Sequence, residues 1–76
     1  MSRQVRELTA LIEREGDLYV SLCPELDVAS QGESIEKARA NLIEALELFF
    51  ETAPPAEVER RLISEFYVTR VEVAVG

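Results

Sequence analysis

The sequence predicts an α+β domain of order β-β-β-α-(α)-β, a mainly antiparallel sheet with one long amphipathic helix packed on one face. Three observations carry that prediction. Two runs with period-two alternation flank Glu15-Gly16-Asp17, the pattern of a β-hairpin. The stretch Ser34 to Phe50 repeats its apolar residues at steps of three and four, as one face of a helix requires. The last run, EFYVTRVEVAVG, is rich in β-branched and aromatic residues, which suit a strand.

The first strand is expected within residues 5 to 14, with Leu8, Ala10 and Ile12 pointing one way and Glu7, Thr9 and Glu13 the other. Leu11 breaks the alternation. Gly16 can take the positive φ of a tight turn. In residues 18 to 23 the apolar set Leu18, Val20 and Leu22 is expected to face inward. Pro24 ends that strand, because it cannot donate to a ladder. Val28 to Gln31 reads as a short third strand, and Gly32 turns the chain toward the helix.

Ser34 is a good N-cap, since its hydroxyl can accept from a free N–H of the first turn. Glu36 sits where the positive end of the helix dipole favours it. Ile35, Ala38, Leu42, Ala45, Leu46, Phe49 and Phe50 make the apolar stripe, with the charged residues largely opposite. The helix should stop near Thr52, because Pro54 and Pro55 cannot continue it. AEVERRLIS reads as a short second helix with Pro55 near its first position. In the final strand Tyr67, Thr69, Val71, Val73 and Val75 share one face, and Phe66, Val68, Arg70, Glu72 and Ala74 the other. One side should pack on the helix and the other against a second subunit. Leu11, Tyr19, Phe66 and Val68 would leave an apolar patch, a candidate oligomer interface.

The 76 residues make one domain, 1–76, with a small core. Such cores often gain stability by association, so a homo-oligomer, dimer or higher, is expected. No apolar run approaches the roughly 18 residues of a membrane span, and MSRQVRELTA lacks the apolar stretch of a secretory signal. A single cysteine fits a reducing compartment, so a cytoplasmic location is expected.

Fifteen acidic residues against eight basic ones give a formal charge of −7. The basic residues are scattered except for Arg60-Arg61, so no cluster is available to displace counterions from phosphates. Direct nucleic-acid binding is therefore not expected, and a basic macromolecular partner fits the charge better than a nucleic acid does. The same acidity would also serve solubility alone. Histidine is absent, removing the commonest general base and metal ligand. Cys23 has no neighbouring base and should stay protonated as a small buried hydrophobe. The three glycines are isolated, so there is no phosphate loop. No catalytic residue, metal set or cofactor is assigned. The acidic groups that remain are Glu25 and Asp27, flanking Leu26, and the helix stripe Glu44, Glu47 and Glu51.

One resemblance joins these pieces. Tyr19-Val20-Ser21-Leu22-Cys23-Pro24-Glu25-Leu26, then Gln31-Gly32-Glu33-Ser34, then Glu36, Ala38, Asn41-Leu42 and Glu44-Ala45-Leu46 resemble the HicB antitoxin family over residues 5 to 51. That family shows a CPEL strand end, a Gly-Asp-Thr turn and an acidic, alanine-rich helix. Here Glu33-Ser34 stands for the Asp-Thr pair, and Asp27-Val28 replaces the usual Pro-Gly. The resemblance implies a β-β-β-α-β fold similar to a degenerate double-stranded-RNA-binding fold. It implies a non-enzymatic domain that neutralises a small basic RNase toxin of the HicA type. The C-terminal DNA-binding module of full-length members is not matched, and promoter binding is not expected. Glu25, Asp27, Glu44, Glu47 and Glu51 are the candidate toxin contacts. The competing expectation is a stand-alone oligomeric interaction or small-ligand-binding protein with no toxin partner.

Overall fold

The computed structural model describes residues 5–63 and 65–76. Three antiparallel strands come first: β1 (Leu11–Glu15), β2 (Leu18–Cys23) and β3 (Val28–Gly32). They lie in the order β1-β2-β3. Two helices follow, α1 (Ile35–Thr52) and α2 (Pro55–Leu62). The architecture is α+β, as expected.

The β1–β2 hairpin closes over two residues, since Glu15 pairs with Leu18. Gly16 has φ 62°, and Asp17 is not in the positive-φ region. Positive φ at the first loop position alone is the II′ pattern, whose twist matches that of the strands. The β2–β3 connection is Pro24-Glu25-Leu26-Asp27, with Asp27 at φ 55°, a conformation that aspartate tolerates better than most residues.

Ser34 caps α1 as expected, its Oγ accepting from the Lys37 amide at 3.1 Å. The helix ends at Thr52, and Pro55 opens α2 at its first turn. α1 packs mainly over β3, less over β2 and least over β1. Cys23, Leu26 and Leu42 form the buried cluster, with Leu8, Val28, Leu46, Phe49 and Leu62 packed around it. Arg61 fastens α2 to this cluster. Its guanidinium lies 5.1 Å from the Phe49 ring centroid and donates to the Leu26 carbonyl. Its Nε also donates to Glu57 at 2.9 Å.

The face of β2 turned toward α1 is the reverse of the expected one. Ser21 and Cys23 are fully buried beneath the helix, and Leu18 is 37% exposed. The buried Ser21 hydroxyl donates to the Ala38 carbonyl of α1 at 2.9 Å. Register places Ser21 between Ile12 and Ser30, and Cys23 beside Val28. Leu11, Leu18, Val20, Leu22 and Ala29 therefore share the opposite face. The physical reason is size. The helix approaches closely because Ser21, Ser30, Gly32 and Ala38 are small, and the serine keeps a partner for its polar atom.

The C-terminus also departs from expectation. Residues 65–76 form no strand and are exposed throughout. Strand propensity measures the fit of side chains to a pleated, half-buried surface. It does not supply that surface. The first strand is shorter than expected as well, because residues 5–10 pair with nothing in the sheet. Among the described residues, no helix is long and apolar enough to cross a membrane.

Gly32 sets the spacing between sheet and helix. A Cβ there would lie 2.5 Å from the Ala38 nitrogen and 2.7 Å from the Lys37 carbonyl carbon. Both are backbone atoms of the first helical turns, so they cannot swing aside. Gly32→Ala is expected to destabilise the fold by about 2 kcal/mol, read as a lower urea midpoint at unchanged slope. Gly76→Ala, with nothing within 4 Å, serves as the neutral control.

Candidate functional site

The structure divides the candidate acidic residues into two groups. Glu44, Glu47 and Glu51 are carried along one flank of α1. They line one concavity of about 570 Å³ with Ser30 of β3 and Asn41, Ala45 and Leu48 of the helix. Helical spacing brings the carboxylates into a row, and β3 supplies the facing wall. Asn41 fixes this wall, because its side-chain amide donates to the Gln31 carbonyl at 2.7 Å. Among the described residues, the ion pairs are those of Glu57 with Arg60 and Arg61, so the row carries none.

Glu25 and Asp27 lie elsewhere, on the β2–β3 loop. Asp27 is exposed. Glu25 is engaged within the chain. Its carboxylate accepts from the Thr9 amide at 3.0 and 3.2 Å and from the Thr9 hydroxyl at 2.7 Å. The loop carboxylate thus clasps the segment ahead of β1. Partial burial works to raise the Glu25 pKa, but the bonds from the Thr9 hydroxyl and from the Glu25 and Thr9 amides outweigh it. The net result is a carboxyl held below its ordinary value. Sequence reasoning misses this latch because Thr9 and Glu25 are 16 residues apart.

Cys23 lies beside the latch, its Sγ 3.5 Å from a Glu25 oxygen. Burial pushes the thiol pKa up from 9.0, the Leu26 amide opposes that rise, and the Glu25 carboxylate adds to it. A buried thiol facing an anion is a poor nucleophile. Among the described residues, no group of three or more acidic or sulfur ligands could hold a metal ion.

Two of the candidate interface residues, Leu11 and Tyr19, lie on opposite faces of the sheet. Leu11 is 40% exposed on the sheet face opposite α1. Tyr19 lies on the other face, between Arg14 and Gly32 in register, with the Arg14 guanidinium 6.0 Å from its ring centroid. Phe66 and Val68 are on the exposed C-terminal segment.

A second, larger concavity is absent from the sequence-based expectations. It measures about 830 Å³ and runs between residues 5–10 and the flank of α1 that carries Ile43, Leu46, Glu47 and Phe50. Its apolar wall is visible in the sequence as the helix stripe. Its opening is not, because it arises where α1 leans over β3 and away from β1.

Comparison with known proteins adds nothing to this geometry: no family model, curated protein or solved structure matches the chain.

Two measurements test the latch and its neighbour. Glu25→Gln is expected to cost about 1–2 kcal/mol at pH 7, the scale of charge-assisted hydrogen bonds. Because the folded pKa is depressed, the wild-type advantage is complete above the ordinary value of 4.5 and vanishes as pH falls through the lower folded value. Unfolding free energies of the two proteins should therefore approach each other as pH falls below 4.5, and a constant difference down to about pH 2 would contradict the assignment. Alkylation of Cys23 by iodoacetamide at about pH 8 should be at least roughly tenfold slower in the native protein than in denaturant.

Proposed function

We propose that this chain is a non-enzymatic, HicB-like antitoxin domain that neutralises a small basic RNase of the HicA type. The observation that carries the reading is the carboxylate row Glu44, Glu47 and Glu51 beside the β3 wall, without ion pairs among the described residues, on a protein of net charge −7. An RNA-cleaving toxin must present lysines and arginines to phosphates. An acidic ridge complements that surface and excludes RNA from it. The resemblance of residues 5 to 51 to HicB antitoxins supplies the partner class, and the β-β-β-α order is consistent with a HicB-like, degenerate double-stranded-RNA-binding fold. The buried, raised-pKa Cys23 supports a role without thiol catalysis. Glu25 acts in this scheme by holding the loop rather than by touching the partner, and Asp27 remains available at the loop tip. A cytoplasmic location follows from the same reading, since the toxin's messenger RNA substrate is there.

Tagged full-length chain, recovered from its native cells at low ionic strength, should retain a small basic RNase and suppress its cleavage of RNA. Retention should fall steeply as salt rises. The triple variant Glu44→Gln, Glu47→Gln, Glu51→Gln should weaken binding by about tenfold, at roughly 0.5 kcal/mol for each exposed charge contact. No capture at low salt, or capture indifferent to both salt and the triple variant, would contradict the proposal.

A further inference from the structure

We infer that the C-terminal segment 66–75 is an exchange strand, which completes the sheet of a second copy of this chain by pairing along its β1 edge. The segment has full strand chemistry and no strand partner. Tyr67, Val71, Val73 and Val75 fall at odd positions, so they would share one face of a strand, and they are 83%, 77%, 72% and 91% exposed. Among the described residues, its hydrogen bonds are local, such as Tyr67 to Glu65 at 3.0 Å. Four large apolar side chains left in water along one short segment are the kind of exposed apolar surface that marks an interface.

The shape of the single chain points the same way. Its Cα radius of gyration is 14.8 Å and its longest extent 55 Å. A compact domain of this length has a radius of about 11 Å. The excess reflects chain that is not packed on its own core.

The two sheet edges differ in what they can receive. The β3 edge is obstructed, because Asn41 already occupies the Gln31 carbonyl and the chain turns into α1 at Gly32. The β1 edge is open, and α1 contacts β1 least. Ahead of its first residue, between residues 5–10 and α1, lies the 830 Å³ groove whose helix wall bears Ile43, Leu46 and Phe50. A strand added along β1 would pair over the five residues Leu11–Glu15, and the rest of segment 66–75 would run on past residues 5–10. Its Tyr67–Val75 face would enter the groove, while Arg70 and Glu72 remain in solvent. Two strands exchanged reciprocally would bury on the order of 2,000 Å², at the upper end of standard stable interfaces. Main-chain bonds supply the affinity and the valine row the register.

The occupant is a second copy because the strand and the groove belong to one sequence, and a twofold exchange uses both and closes. Like charges of −7 on each chain oppose this pairing, so salt should strengthen the dimer. Salt has the opposite effect on the proposed toxin contact, which keeps the two proposals separable.

Light scattering of the full chain at tens of micromolar should give twice the chain mass of 8.6 kDa. Amide exchange should show protection in both 66–75 and the β1 edge. Val71→Pro removes a ladder donor from a residue that is 77% exposed in the single chain, so the chain's own core is untouched. It should be monomeric, with unchanged helix signal and with protection lost in both segments. Val73→Lys, which alters no backbone donor, should shift the mass in the same way. A wild type of 8.6 kDa, a dimer that survives both substitutions, a dimer with an unprotected tail, or an open-ended larger assembly would each overturn the inference.

Discussion

The structure depends on the close approach of α1 to the middle of the sheet. Ser21 and Gly32 on the strands, and Ala38 on the helix, have almost no side-chain bulk to hold the two layers apart. The Ser21 hydroxyl then bonds the Ala38 carbonyl at 2.9 Å. A buried hydroxyl without a partner would cost more than the hydrogen bond contributes, so the contact is as much a constraint as an attraction. The helix cannot rotate without orphaning Ser21, and it cannot lift without opening a gap above it. Orientation of the helix, and therefore the placing of every residue on it, follows from this contact.

Three surfaces follow from that orientation. The Glu44, Glu47 and Glu51 row is carried to the β3 side, where it overlooks Ser30. The Ile43 and Phe50 side is carried over the gap beside residues 5–10. The larger apolar residues of β2, excluded from the helix contact, are displaced to the far face. The domain therefore buries little within itself: Cys23, Leu26, Ala38 and Leu42 are its fully buried apolar residues among those described. A core of that size is marginal alone, and apolar surface is left exposed on the sheet, on α1 and on the C-terminal segment.

Much of this is legible in the sequence, and the failures have specific causes. The Ser34 cap, the extent of α1, the turn at Gly16 and the start of α2 at Pro55 are local. Each depends on residues a few positions apart, and each forms as expected. The facing of β2 misleads because Leu18, Val20 and Leu22 alternate more strongly than Tyr19, Ser21 and Cys23. Periodicity identifies a strand with two unlike faces, but it does not say that a serine will find a carbonyl on a distant helix. The Glu25–Thr9 clasp is non-local for the same reason. The tail reads as strand-like, yet the surface that would order it is not supplied by its own chain.

The placing of all three surfaces depends on the inverted facing of β2, and paired substitutions on adjacent residues test it. Ser21→Leu and Val20→Ser should be compared by thermal unfolding of the full chain. If Ser21 lies under α1, the leucine overfills a contact with no room and lowers the midpoint by roughly 10 °C or more, while Val20→Ser, on the far face, shifts it by only a few degrees. A stable Ser21→Leu protein alongside a collapsed Val20→Ser protein would show instead that the apolar row faces the helix, and would contradict this orientation of α1.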